Sequence, residues 1–317
     1  MKTKAEIREP AAEARQASGV RNPESAGWRA QRWNRHRFLC SAGIAILAFS
    51  AEVKAAESQG ETRLLVRADD MGVTQSGNAA CIQAYRDGIV RSVEVMVPGA
   101  WSLDAVRLLK ENPGLDVGVH LTLTSEWERC KWRPLTQVPS LVDENGNFRP
   151  MNSQRKDSPP DTGFLEANPK LEEVERELRA QIELAKRHLP RISHVSAHMG
   201  TPVCTPQLRE LTTRLAREYQ LRLEAEGVRG APGFGGSAKS AEQKEQDLIT
   251  VLEKLGPGQW LMVEHPAFDT PEMRVIGHKG YENVAADRDG VTKAFTSARV
   301  KEVIRRRDIK LISYADL

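Results

Sequence analysis

The stretch Leu64-Leu65-Val66-Arg67-Ala68-Asp69-Asp70-Met71-Gly72 decides the reading of this chain. An apolar run ends in two adjacent carboxylates, and a glycine turn follows. Two carboxylates this close resist joint ionisation unless a cation sits nearby. A metal bound by one aspartate and a water held by the other resolves the conflict. A strand end is a poor place for a core and a good place for a site. The pair alone could also be a helix cap or a turn.

Two later segments repeat the pattern. Val117-Gly118-Val119-His120-Leu121-Thr122-Leu123 carries a histidine in an alternating strand, and Ile192-Ser193-His194-Val195-Ser196-Ala197-His198 carries two. Residues 194 and 198 have the same strand parity and compete for one role. His198 is preferred because it lies nearer the strand end and Gly200. Carboxylate, imidazole and imidazole with an open position is a recurring arrangement for catalytic zinc. Magnesium is the alternative, disfavoured by two nitrogen donors. His265 follows Leu261-Met262-Val263-Glu264 and precedes Pro266. An unligated histidine there suits general acid chemistry near neutral pH. Glu264 should point the other way.

Working outward, short apolar runs alternate with amphipathic stretches. Strands are expected at 63–68, 92–97, 116–123, 192–198, 259–264 and 310–314. Helices are expected at 78–88, 103–111, 171–189, 207–219, 240–255 and 297–307. The clearest helix has Leu171, Val174, Leu178, Ile182, Ala185 and Leu189 at steps of three or four. Thr205-Pro206 and the Ser240/Gln243 pair are helix-start signals. Strands alternating with helices imply parallel pairing through right-handed crossovers. The fold class is therefore α/β, a (β/α) barrel with fewer than eight regular repeats. In such barrels the site lies at the C-terminal strand ends, where Asp69, Asp70, His120, His198 and His265 all fall. Two long connections, 124–169 with Trp127 and Trp132 and 227–237 with five glycines, read as lids or binding loops.

The chain has 317 residues and a formal net charge of +3. Ten of its 46 Lys/Arg and five of its 43 Asp/Glu lie in residues 1–55, so the remainder holds 36 basic and 38 acidic side chains. The basic excess belongs to the N-terminus, and no basic stripe suggests nucleic acid. Arg29, Arg32, Arg35 and Arg37 precede the uncharged stretch Phe38–Ser50, and Val53-Lys54-Ala55 offers small residues for cleavage. This reads as a signal peptide with a long basic region over residues 1–55, too short in its apolar part to span a bilayer. The expected product is an exported single catalytic domain, residues 56–317, periplasmic or extracellular, with no stable membrane insertion. A homodimer is an allowed state. Cys81, Cys130 and Cys204 are not a disulfide framework. Cys130 and Cys204 follow two site strands, and separate thiols are favoured over a bridge.

Arg67-Ala68-Asp69-Asp70-Met71-Gly72 resembles the N-A-D-D-F-G signature of the YdjC-like (ChbG-type) carbohydrate deacetylases. The similarity continues through Asn78, 92–97, 118–123, 140–148, 194–198, Val263-Glu264-His265-Pro266 and Leu311-Ile312-Ser313-Tyr314-Ala315-Asp316-Leu317. It spans residues 62–317 in order. The resemblance implies a deacetylase-type (β/α) barrel and removal of N-acetyl groups from sugars such as chitooligosaccharides. It implies Asp69 as general base, Asp70, His120 and His198 as ligands of one divalent metal, zinc or magnesium, and His265 as partner acid. With a sugar as substrate, Trp127, Trp132 and Arg67 become candidate substrate contacts. Arg67 departs from the family's Asn, Met71 from its Phe, and Ser196 stands where Asp is usual. A hydrolase of another bond (ester or phosphoester) and a non-catalytic carbohydrate-binding protein are the alternatives.

Overall fold

The computed structural model describes residues 60–223 and 227–317. The expected signal peptide lies outside the described residues. The described residues form one compact unit. Its core is a seven-stranded sheet in which every strand pairing is parallel. The strands are β1 (Thr62–Met71), β2 (Ser92–Val95), β3 (Asp116–Leu121), β4 (His194–Ala197), β5 (Arg229–Gly230), β6 (Gly258–Glu264) and β7 (Lys310–Ile312). The helices are α1 (Gln75–Arg86), α2 (Ser102–Glu111), α3 (Leu171–His188), α4 (Pro206–Glu218), α5 (Ala241–Lys254), α6 (Val284–Thr296) and α7 (Ala298–Arg306).

The order along the sheet is β4-β3-β2-β1-β6-β5, with β7 also paired to β1. The α/β class and parallel pairing match the sequence reading. Among the described residues no ladder joins β4 to β5, so the observed architecture is a curled, half-barrel sheet rather than a closed eight-stranded ring. Leu64, Val66, Ala68 and Met71 of β1 pack into the main core against helices. Leu65 instead joins Ile312 and Tyr314 in a small cluster on the other face. Burial of both faces explains why β1 reads as a continuous apolar run.

The helix starts follow their capping chemistry. Thr205 Oγ1 accepts from the Leu208 amide with Pro206 at the first position, and Ser240 with Gln243 forms the reciprocal capping box. The observed strand β5 and helix α6 were absent from the sequence reading. β5 has two residues, below any periodicity signal. The segment of α6 carries Asp287-Arg288-Asp289-Gly290 at its centre, which masks its apolar face.

The connection 124–169 carries a core of its own. Trp127, Trp132, Leu141, Phe148 and Phe164 are buried. Two glutamates of α3 tie it down. Glu177 accepts from the Leu135 and Thr136 amides, each at 3.0 Å, and Glu173 from the Ser140 amide at 2.8 Å. Cys81, Cys130 and Cys204 are free thiols.

Candidate active site

The two aspartates converge through a bulge. β1 pairs with β2 at Ala68↔Val93 and next at Met71↔Val95, so β1 holds one residue more than its partner over this interval. The extra residue is taken up at Asp69-Asp70, where Asp70 adopts the left-handed region at φ 66°. Strand alternation would send neighbouring side chains to opposite faces. The bulge overrides it. The convergence is therefore made within β1, upstream of the Met71-Gly72 turn.

Asp70 Oδ1 stands 3.6 Å from His120 Nε2 and 3.3 Å from His198 Nδ1. The three donor atoms lie within 4.8 Å of one another, and all three residues are buried. Ligands of a single ion at about 2 Å stand roughly 3–4 Å apart, so this triangle fits a divalent cation. Asp70 Oδ1 is also buried without a hydrogen-bond partner. An orphaned carboxylate oxygen aimed at two imidazoles is costly unless something positive completes it.

Each imidazole is oriented by a group on its far side. His120 Nδ1 lies 2.7 Å from Ser196 Oγ. His198 Nε2 lies 2.9 Å from Glu126 Oε2. Such outer partners fix which ring nitrogen faces a metal. Burial, then the charge of His198, lowers the His120 pKa to about 3. Burial also opposes a charge on His198, but Glu126 and Asp70 outweigh it and lift that pKa to about 10. The field that stabilises a proton on His198 would equally stabilise a cation, which would leave both imidazoles neutral.

Asp69 sits beside this triangle, its Oδ2 3.8 Å from His120 Nε2. Arg67 grips it with two bonds, Nε to Oδ1 at 2.7 Å and Nη2 to Oδ2 at 2.9 Å. Arg67 Nη1 donates to Tyr314 Oη at 2.9 Å. A carboxylate held in this fork keeps a further lone pair on each oxygen, so it is oriented yet able to accept a proton. Asp70 Oδ2 accepts from Arg288 Nη2 at 2.9 Å and lies 4.0 Å from His265 Nε2. The His265 side chain is 39 % exposed and reaches the opening. Partial desolvation in the site, with Arg288 nearby, outweighs the opposing charge of Asp70 and lowers its pKa. Glu264, on the other face of β6, has its carboxyl raised to about 7 by burial and by Asp287.

Two expected substrate contacts are corrected. Trp127 is 2 % and Trp132 3 % exposed, too enclosed to stack on a sugar. Trp127 lies under the Arg288 guanidinium at 5.2 Å and against His278. Trp132 donates to the Thr124 carbonyl at 2.7 Å and packs edge-on against His198. They form the wall of the site. Arg67, the third expected contact, is held by Asp69 and Tyr314 and lies 3.6 Å from Glu94. Sequence reading missed Glu126 and Arg288. Neither lies near a recognisable motif, although Glu126 is the first acidic residue after the His120 strand.

The family described as YdjC-like protein matches residues 63–306. The chain belongs to the YdjC-like family. Among its relatives, a carbohydrate deacetylase of Thermus thermophilus is 34% identical over 241 residues, covering 68% of this chain and 82% of that protein. A carbohydrate deacetylase of Brevibacillus brevis is 28% identical over 280 residues, covering 80% and 99%. A crystal structure from Enterococcus faecalis, named for cellobiose-phosphate cleavage, superposes with a TM-score of 0.65 at 28% identity, covering 81% of this chain and 98% of the other. The Asp-Asp bulge and both site histidines of this YdjC-like chain lie inside the matched region.

Proposed function

We propose that this YdjC-like chain is a metal-dependent hydrolase that removes N-acetyl groups from a chitooligosaccharide-like carbohydrate and releases acetate, on a seven-stranded deacetylase-type (β/α) barrel. The observation that carries the reading is the triangle of Asp70 Oδ1, His120 Nε2 and His198 Nδ1, with its orphaned oxygen, set beside an aspartate outside the triangle. The relatives named as carbohydrate deacetylases supply the substrate class.

Asp70, His120 and His198 would hold the cation. When bound, a divalent cation polarises a carbonyl and acidifies water. Asp69, oriented by Arg67, takes the proton of the water that adds to the acetamide carbon. His265 gives a proton to the sugar nitrogen as the C–N bond breaks, leaving acetate and an amino sugar. Trp127 and Trp132 exclude water from one side of the site. Zinc fits two nitrogen donors better than magnesium does.

The test is acetate release from a panel of N-acetylated sugars by protein as isolated, after chelation, and after adding back zinc or magnesium. Release restored by one metal supports the reading. Metal-replete protein that releases no acetate but cleaves an ester or phosphoester would replace it. Tight sugar binding without turnover would make the chain a binding protein. We further propose export, on the basic and then apolar N-terminal segment. Recovery of the intact 317-residue chain from the cytosolic fraction would refute export.

A further inference from the structure

Arg288 lies on the inward face of α6, is 9 % exposed, and projects its guanidinium between Trp127 and Asp70. Its Nη2 occupies Asp70 Oδ2 at 2.9 Å, whereas Asp70 Oδ1 has no hydrogen-bond partner and faces His120 and His198. The two oxygens of one carboxylate are thus divided between a fixed cationic donor and the ligand triangle. An oxygen engaged by a buried guanidinium is the poorer second donor to an ion, because its charge is partly neutralised and its position is fixed.

From this division we propose that Arg288 is a positioning residue that restricts Asp70 to one donor oxygen, Oδ1, toward the bound cation. The proposal rests on the reading of Asp70, His120 and His198 as the ligand set. It adds a consequence for that site. One oxygen and two nitrogens leave coordination positions for water and substrate. A second carboxylate oxygen would fill one of them and move the donor set toward hard, oxygen-preferring ions. The backbone of Asp70 assists, because its left-handed conformation in the bulge aims the carboxylate between Arg288 and the histidines.

The probe is cobalt(II), whose visible absorption is strong in four-coordinate sites and weak in six-coordinate ones. Wild-type protein, Arg288→Met and Arg288→Lys are each stripped of metal and loaded with cobalt. The expected result is a strong band in wild type, a several-fold weaker one in Arg288→Met as Oδ2 is freed, and near-recovery in Arg288→Lys, which retains a cationic donor. A merely structural role for Arg288 leaves the spectrum of metal-loaded Arg288→Met unchanged, and that result overturns the proposal.

Should Arg288→Met fail to fold, a crystal structure of the wild-type protein with zinc decides alone. Asp70 bound through Oδ1 with Arg288 still on Oδ2 sustains the proposal. Two-oxygen binding by Asp70, or a displaced Arg288, refutes it while leaving the ligand set intact. Wild-type protein that takes up neither cobalt nor zinc removes the ligand set itself, and the positioning role with it.

Discussion

The same strands carry two buried polar clusters, one at their C-terminal ends and one farther down. The upper cluster is Asp70, His120 and His198. The lower one is Glu94, His194 and Asp116, closed by Tyr314. Both are buried, and each combines carboxylates with imidazole. They differ in where the polar atoms point. In the lower cluster His194 Nε2 meets Glu94, and its Nδ1 lies 2.7 Å from Ser193 Oγ. Asp116 accepts from Ser193, from Ser92 and from the Tyr314 amide, and the Tyr314 ring stacks on His194 at 3.6 Å. Gly118 makes room for this, since a Cβ there would fall 2.4 Å from both Glu94 Oε2 and His194 Nε2. Each cluster leaves one buried carboxylate oxygen unbonded, Glu94 Oε2 below and Asp70 Oδ1 above, but only the upper oxygen faces two imidazole nitrogens across a donor triangle. Burial, charge and an unbonded oxygen are common to both, so convergence of three ligand atoms at strand ends is what marks the site. Arg67 links the two, gripping Asp69 above and lying 3.6 Å from Glu94 below.

The comparison breaks first at His120. His120→Ala should abolish both metal binding and acetate release, measured as bound zinc per chain and as product. A metal-loaded, active variant would erase the distinction between the clusters. Next, Asp69→Asn should keep the metal and lower kcat by about 10²- to 10⁴-fold. Metal loss in that variant would move Asp69 into the ligand set.

The lower cluster should answer in stability instead. Glu94→Ala leaves buried His194 without its carboxylate and should cost about 3–5 kcal/mol in a urea titration. Burial alone would raise the Glu94 pKa, but His194 and Arg67 outweigh it and lower it. A folded-state pKa below the unfolded value gives stability that is present above the unfolded pKa and lost as pH falls through the folded one. The Glu94→Ala penalty should therefore shrink in acid, and a pH-independent penalty would contradict the pairing.

A finer measure is Glu126→Gln, which keeps the shape behind His198 and removes the charge. Metal affinity should fall about 10- to 100-fold in a chelator competition. An unchanged affinity would mean that Glu126 does not tune the upper cluster. The smallest effect belongs to the surface, where hydrogen bonds from Arg214 and Arg179 lower the Glu175 pKa to about 2. Its side chain is 30 % exposed, so solvent screens the pairing. Glu175→Gln should leave the unfolding midpoint at neutral pH unchanged within error, and a clear shift would show that ion pairing outside the buried clusters matters to the fold.

Much of this was legible beforehand because hydrophobic period and capping chemistry are local. The runs ending at Asp70, at His120 and near His198 located three strands, and the helices capped by Thr205 and Ser240 fell within one residue of their expected starts. The α6 segment escaped because Gly290 and the run 287–289 oppose a helical reading. The structure resolves the conflict by packing Gly290 against Lys244 of α5, where a Cβ would stand 2.9 Å from Lys244 Cδ. With α6 unread, Arg288 was invisible. Trp127 and Trp132 were misplaced for the opposite reason. A polar, proline-rich connection reads as open, and only its anchoring to Glu173 and Glu177 shows that it buries its aromatics.

The sequence by itself determined the α/β alternation, the family, and which carboxylates and imidazoles stand at strand ends, because each is written in neighbouring residues. Tertiary structure alone decided which oxygen of Asp70 is left unpaired, why His198 and not His194 joins the triangle, and what Arg67 and Arg288 hold. Those outcomes depend on contacts between residues up to 247 positions apart, as in Arg67 on Tyr314, and on one extra residue in β1. Neither leaves a local trace, because a hydrogen-bond partner is chosen by proximity in the folded chain.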